Sequence, residues 1–259
     1  MKHNYHTHTF RCKHASGLDR DYVEAAVAAG LETLGFSDHG PYVFPEEAGD
    51  FYSGFRMRPE QLEGYVESVE SLKAEFKGKI RLLTGVEIEY YPKCFDRTEK
   101  FLRDSGIEYL ILGQHVFGNE YDKGSIYVAG QNGAGEKELE AYTSLVIGCI
   151  ESGKFLYVAH PDIFRFEGAP EFYSEQAERM CVAAKKNNLP LEVNLLGFRG
   201  GRHYPNRLFW EAAGRTGAPV IFGIDAHAPE MIGDADKAIE DFKKEYKDIE
   251  LNYIDEELL

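Results

Sequence analysis

Asn4-Tyr5-His6-Thr7-His8-Thr9 reads as a first β-strand. On a strand, residues two apart point to the same face, so His6 and His8 converge on one point near its C-terminal end. Two neutral imidazoles meeting in this way suit a divalent transition metal. A His-x-His pair alone is a weak signal. Its weight comes from where the other histidines fall.

From that strand onward, short apolar runs alternate with amphipathic stretches. Helices are expected at about 19–29, 59–78, 95–105, 136–152, 173–186, 207–215 and 234–246. Strands are expected at 33–37, 81–86, 109–113, 155–159, 191–194 and 219–223. Gly30 is a natural helix stop after Asp19 as N-cap. Leu62, Tyr65, Val66, Val69, Leu72 and Phe76 recur at helical spacing, as core residues do. A loop follows at 41–57, another reaches from His115 to Gly135, a third covers 195–205, and the end reads as a short polar tail. No fixed-period repeat occurs.

Short, nearly all-apolar strands alternating with helices imply a parallel sheet covered by helices. No Gly-rich phosphate turn follows the first strand, so a dinucleotide fold is not indicated. Of the nine histidines, His6, His8, His39, His115, His160 and His227 lie at expected strand ends, and His14 lies in the first loop. An open sheet would spread these ends along a line. A closed barrel gathers them around one mouth. The expectation is therefore an α/β barrel over residues 1–259 as a single domain, with a metal site at the strand C-terminal ends.

Carboxylates join the ring. Asp225 shares a strand face with His227, and Glu87 shares one with Glu89. One of the two glutamates can bridge metals, and the other would then support a ligand or sit at the surface. Asp38 points away from His39 and serves either as a cap or as a support for a ligand.

Composition narrows the partners. The formal net charge of −15, with no Lys/Arg run, argues against nucleic acid and for a small substrate. No apolar run reaches membrane-spanning length, and Met1-Lys2-His3-Asn4 lacks a signal-peptide core, so a cytosolic protein is expected. Cys12, Cys94, Cys149 and Cys181 form no Cys-x-x-Cys pair and read as reduced, buried thiols, Cys12 lying near the histidines.

His6-x-His8, His14, Asp38-His39, Gly85-Val86-Glu87, His115, His160-Pro161-Asp162 and Asp225-x-His227 together resemble the PHP (polymerase and histidinol phosphatase) family. The resemblance runs from about residue 3 to 230. It implies a distorted (β/α)7 barrel with three divalent ions, of zinc, iron, manganese or cobalt. His6, His8, Glu87 and Asp225 would hold one ion. Glu87, His115 and His160 would hold a second, and His14, His39 and His227 a third.

Within the family, the chain is similar to the group that hydrolyses histidinol phosphate in histidine biosynthesis. Asn194-Leu195-Leu196-Gly197-Phe198-Arg199 resembles that group's Asn-x-x-Gly-x-Arg segment, and Arg165 matches a basic position near the phosphate. The Leu195-Leu196 pair and the long 41–57 loop depart from it. Glu87, Asp225 and His227 are the candidate catalytic groups, and Arg165, Arg199 and His203 the candidate substrate contacts, with Arg202 beside them. Each arginine could instead serve a surface ion pair. Three ions against two carboxylates would leave the pocket at about +4, attracting a phosphate dianion. Metal-activated water would attack phosphorus in line. Asp225, His227 or the third ion could assist the leaving alkoxide. Glu46, Glu47 and Asp50 could read the amine and imidazole of histidinol, or form a solvated face, the reading preferred.

The alternatives are an amidohydrolase, which needs a carbamylated lysine at a middle strand end, a phosphodiesterase or exonuclease, a phosphotyrosine phosphatase, and a metal-free structural module.

Overall fold

The structure is a computed structural model that describes residues 1–130, 134–254 and 257–259. Its first half runs β1 (His3–Asn4), α1 (Asp19–Ala28), β2 (Thr33–Phe36), α2 (Leu62–Glu75), β3 (Arg81–Ile88), α3 (Phe95–Asp104), β4 (Tyr109–Leu112), β5 (Val116–Phe117) and β6 (Ile126–Tyr127). The second runs α4 (Glu136–Ser152), α5 (Pro170–Asn187), β7 (Leu191–Asn194), α6 (Leu195–Arg199), α7 (Arg207–Thr216), β8 (Pro219–Gly223), α8 (Glu230–Gly233), α9 (Ala235–Glu245) and β9 (Asn252–Tyr253).

β1 to β4 pair in parallel and in sequence order. Val158 bridges Leu112 on one side and Leu191 on the other, which carries the ring from β4 to β7. β7 pairs in parallel with β8. Thr7 then bridges Ala226, and the His8 amide donates to the Ala226 carbonyl at 2.9 Å. The seven parallel segments close on themselves, giving the distorted α/β barrel expected.

The distortion has local causes. The first strand was expected over 4–9, but its regular ladder ends at Asn4. Asn4 is buried, and its side chain takes over the bonding: Nδ2 donates to the His6 carbonyl and to Thr7 Oγ1, while Oδ1 accepts from the Ile224 amide. The segment 155–159, expected as a strand, is bonded on both sides but bends at Leu156 and Ala159, so it pairs only through Val158.

Alternation on β3 sorts the side chains. Leu83 packs with Tyr5, Tyr109, Ile111, Tyr157 and Ile221 inside the barrel. Leu82, Val86 and Ile88 face the other way, into the core shared with the helices. Ile254 and Leu258 join the inner cluster, and the Leu258 amide donates to Tyr5 Oη at 2.9 Å. The polar tail expected at the C-terminus is thus corrected: Asn252–Tyr253 form β9, and Ile254 and Leu258 close the barrel floor. The opposite end stays open.

Other boundaries also move. A 3-10 turn at Pro59–Gln61 precedes α2. Pro170 occupies the first turn of α5, earlier than expected, as its fixed φ favours. The loop expected at 195–205 begins instead with α6, whose N-cap Asn194 accepts from the Gly197 amide at 2.8 Å. The loop after His115 contains the β5–β6 hairpin, and its residues 131–133 lie outside those described. The charged helix after residue 234 is preceded by the short α8. No described helix is long and apolar enough to cross a membrane.

Candidate metal centre

Glu87, at the end of β3, is 1% exposed and stands at the centre of the open mouth. Its Oε1 lies 2.8 Å from His160 Nε2 and 3.4 Å from His115 Nε2. Its Oε2 lies 3.1 Å from His39 Nδ1, 3.4 Å from His8 Nε2 and 3.5 Å from His6 Nε2. Asp225 Oδ1 stands 3.0 Å from His8 Nε2, 3.4 Å from His6 Nε2 and 3.3 Å from His227 Nδ1. The ligating atoms of His14, His39 and His227 lie within 4.8 Å of one another. Strands from distant parts of the chain thus bring all the expected ligand side chains to one place. Of the glutamate pair, Glu87 takes the central position.

The backbone is shaped to allow this. His160 and Asp225 adopt φ of 31° and 53°, a left-handed conformation rare for such residues, at the points where their strands end. Gly113 leaves room for Glu87: a Cβ there would stand 1.9 Å from Oε1.

Burial alone would depress the His6 pKa, but Glu192, Asp225 and Glu87 outweigh it and hold it well above the ordinary value. Burial opposes charge on His8 too, yet Asp225 and Asp38 raise it well above the ordinary value. Burial and the nearby His8 push His227 down to about 4. Burial and the same neighbour hold His39 well below the histidine range. Burial would raise Glu87, but His115, His6 and His39 pull it well below the usual carboxylate range. Asp225 is held down likewise against its burial, by His6, His8 and His227. The centre therefore keeps its acids ionised and some imidazoles neutral, the forms in which they ligate metals.

The PHP domain family matches residues 4–195. The chain belongs to the PHP family. A probable histidinol-phosphatase of Deinococcus radiodurans is 31% identical, over 91% of this chain and 92% of that protein. A histidinol-phosphatase of Bacillus subtilis is 27% identical, over 92% of this chain and 98% of that one. The histidinol phosphate phosphatase of Lactococcus lactis, solved with zinc, L-histidinol and phosphate, superposes with a TM-score of 0.70. That likeness, at 20% identity and over 98% of this chain and 95% of that one, shows the fold.

The residues present fit the metal ions of a PHP centre. Glu87 Oε2, Asp225 Oδ1 and His39 Nδ1 are buried with no hydrogen-bond partner, although each faces the cluster. Orphaned buried polar atoms are costly unless a further group satisfies them. Imidazoles with a few carboxylates suit borderline divalent cations. No lysine lines the cavity among the described residues, as an amidohydrolase would need.

Sequence reasoning passed over Glu192. It is fully buried on β7, with Oε2 2.9 Å from His6 Nδ1. Asn194, two residues on, donates from Nδ2 to Glu192 Oε1 and Asp225 Oδ2. The Glu-x-Asn spacing on one strand face was the available signal. Asp38 Oδ1 lies 3.5 Å from His8 Nδ1 and accepts from the His39 amide, so it supports ligands while capping the turn. Glu89 is buried, with Oε1 2.9 Å from His115 Nδ1.

The cavity above the centre has a volume of about 550 Å³. Phe55, Tyr127, Ile163, Leu196, Arg202 and Tyr204 form its walls, and of these only Arg202 carries a charge. Of the substrate contacts expected at Arg199, Arg165 and His203, none lines the cavity itself. Arg199 turns away, because Nη1 donates to the Met231 carbonyl at 2.8 Å where α6 packs beside α8. Arg165 and His203 line an adjoining pocket, which shares Tyr127, Arg202 and Tyr204 with the cavity. His203 Nε2 lies 2.8 Å from the Ile163 carbonyl. Glu46, Glu47 and Asp50 are exposed and absent from the cavity wall, as a solvated face should be. All four cysteines are free and buried.

Proposed function

We propose that the chain is a metal-dependent phosphomonoesterase that hydrolyses L-histidinol phosphate to L-histidinol and inorganic phosphate, a cytoplasmic enzyme of histidine biosynthesis. One observation carries this reading: a buried carboxylate, Glu87, ringed by His6, His8, His39, His115 and His160 at the floor of an open cavity. The names of the Deinococcus and Bacillus relatives supply the substrate.

His6, His8, Glu87 and Asp225 would hold the first of three divalent ions, Glu87, His115 and His160 the second, and His14, His39 and His227 the third. Zinc, iron or manganese would suit these donors. Ions bound there would supply a lowered pKa for water and positive charge against the phosphoryl oxygens. Glu87, common to the first two sets, would join them, and Asp225 would complete the first beside His6 and His8. Arg202 at the wall, with Arg165 and His203 in the adjoining pocket, hold the phosphate's outward oxygens through charge-assisted hydrogen bonds. Phe55, Tyr127 and Tyr204 pack against the flat imidazole of the leaving group. His227, kept neutral by its surroundings, is in the form that would ligate a metal ion and not the form that gives a proton.

A phosphate-release screen over a panel of phosphomonoesters, with each metal added back after chelation, tests the reading. Histidinol phosphate should give the highest kcat/KM. Equal turnover across unrelated esters, or preference for a phosphodiester or a phosphotyrosyl peptide, would overturn it.

A further inference from the structure

The 41–57 loop reaches the metal centre through a buried charge. Arg56 is 1% exposed, although it sits in the irregular stretch between the 3-10 turns at Glu46–Ala48 and Pro59–Gln61. Its Nη2 donates to Glu89 Oε2 at 2.8 Å and to Glu120 Oε2 at 2.6 Å, and its Nη1 donates to the Gly40 carbonyl at 3.0 Å. The two oxygens of Glu89 are thus divided between partners. Oε2 takes the guanidinium, and Oε1 takes His115 Nδ1 at 2.9 Å. The other nitrogen of that ring, Nε2, faces Glu87.

The chain of contacts runs from loop to arginine, to carboxylate, to imidazole, to the centre. We propose that Arg56 is a positioning residue, which fixes Glu89 so that His115 holds one ring orientation and one tautomer and presents Nε2 to a metal ion. The proposal rests on the reading of His115 as a ligand.

Three physical points support it. A histidine that ligates through one nitrogen is oriented by the partner of the other, and a carboxylate in that role must itself be held. Glu89 and Glu120 meet at one guanidinium nitrogen, their side chains buried, and the cation between them offsets the repulsion of two close carboxylates. An arginine suits the position better than a lysine. Its planar fork reaches two carboxylates and a carbonyl at once, and its face packs on Phe55 at 4.5 Å and Tyr42 at 5.3 Å. Phe55, the preceding residue, lies edge-on to His39 at 5.2 Å and lines the cavity. The loop therefore contributes a wall through one residue and the setting of a ligand through the next.

The test uses the purified full chain with zinc alone as the probe. Zinc affinity is measured by chelator competition, with elemental analysis of the protein, for Arg56→Gln, Glu89→Gln and the double variant. Arg56→Gln should weaken one class of bound zinc by about 10- to 100-fold while the rest keeps its affinity. Glu89→Gln should do the same, and the double variant should be no worse than either single one, because both act through one link. Arg56→Lys, which keeps the charge and loses the fork, should recover part of the loss. Wild-type zinc affinity in Arg56→Gln, or losses that multiply in the double variant, would overturn the proposal. If Arg56→Gln fails to melt cooperatively, Arg56→Lys decides: a folded Lys variant with wild-type zinc affinity refutes the link. His115→Ala is the control. Unchanged zinc binding in that variant would remove His115 as a ligand, a failure of the earlier reading and separate from that of the link.

Discussion

Glu192 Oε2 sits 2.9 Å from Nδ1 of His6, while Nε2 of the same ring faces Glu87 and Asp225. The pair joins β7 to the first segment of the barrel, with both side chains fully buried. Gly223 makes this possible, because a Cβ there would stand 2.0 Å from Glu192 Oε1. A carboxylate placed behind a ligating imidazole fixes its tautomer and raises its basicity.

Glu192→Gln should therefore lower metal affinity by about 10- to 100-fold while the barrel still forms. Chelator titration followed by elemental analysis reads the first, and far-ultraviolet circular dichroism the second. Unaltered affinity would reduce Glu192 to a packing residue.

Glu87→Gln removes the charge from the central acid but keeps its shape. Metal content should fall and phosphatase activity should drop to background. Gly113→Ala should give a milder form of the same defect from outside the ligand set. The added methyl must displace Glu87 Oε1, and such overpacking costs about 1–3 kcal/mol. Turnover equal to wild type in Glu87→Gln would remove this residue from the mechanism.

The histidine placement made the barrel, and the gathering of these side chains at one mouth, legible in the sequence. Position relative to strand ends is a property of the chain order, so His39, His115, His160 and His227 could be placed without knowing any contact. What could not be read was pairing across the ring. Glu192 and Asn194 lie on a strand that looks like any other buried strand, and their partners are about 190 and 30 residues away. Arg56 was hidden for a similar reason: a charged residue in a loop reads as exposed until its carboxylates are seen. Arg199 differs from its expected placement. Its motif survives in the sequence, but α6 forms where a loop was expected and turns the side chain toward Met231.

The pH dependence of the metal-free protein follows from His6 and His8. Their folded pKa values lie well above that of an unfolded histidine, about 6.5, because nearby carboxylates outweigh burial. The stability they contribute is complete below the unfolded value and is lost as pH rises through the raised folded ones. Metal ions must displace the same protons, so affinity should rise with pH and binding should release protons. Calorimetry of zinc binding near neutral pH, in buffers of differing ionisation enthalpy, measures that release. The rise in Tm on adding zinc should grow from neutral to alkaline pH. Binding with no proton release would contradict protonated imidazoles at this centre.

The arginines separate substrate contacts from scaffold. Arg202 lines the cavity and donates from Nη1 to Tyr204 Oη at 2.7 Å, with no carboxylate partner among the described residues. Arg199 is half-buried and bonded to a backbone carbonyl outside the cavity. A lost charge-assisted hydrogen bond is worth roughly 1.5–3 kcal/mol, so Arg202→Ala should lower kcat/KM by about 10- to 100-fold and leave Tm near its wild-type value. Arg199→Ala should show the reverse, a lower Tm with kcat/KM little changed, because what it loses is the link between α6 and α8. Arg165→Ala distinguishes the cavity from its neighbour. If the phosphate extends into the adjoining pocket, KM should rise with it as well, and if the pocket is separate, KM should stay constant. Steady-state kinetics and thermal melts of the three variants, loaded with the same metal, decide among them. A loss of kcat/KM confined to Arg199→Ala would show that this side chain swings back into the cavity when substrate binds.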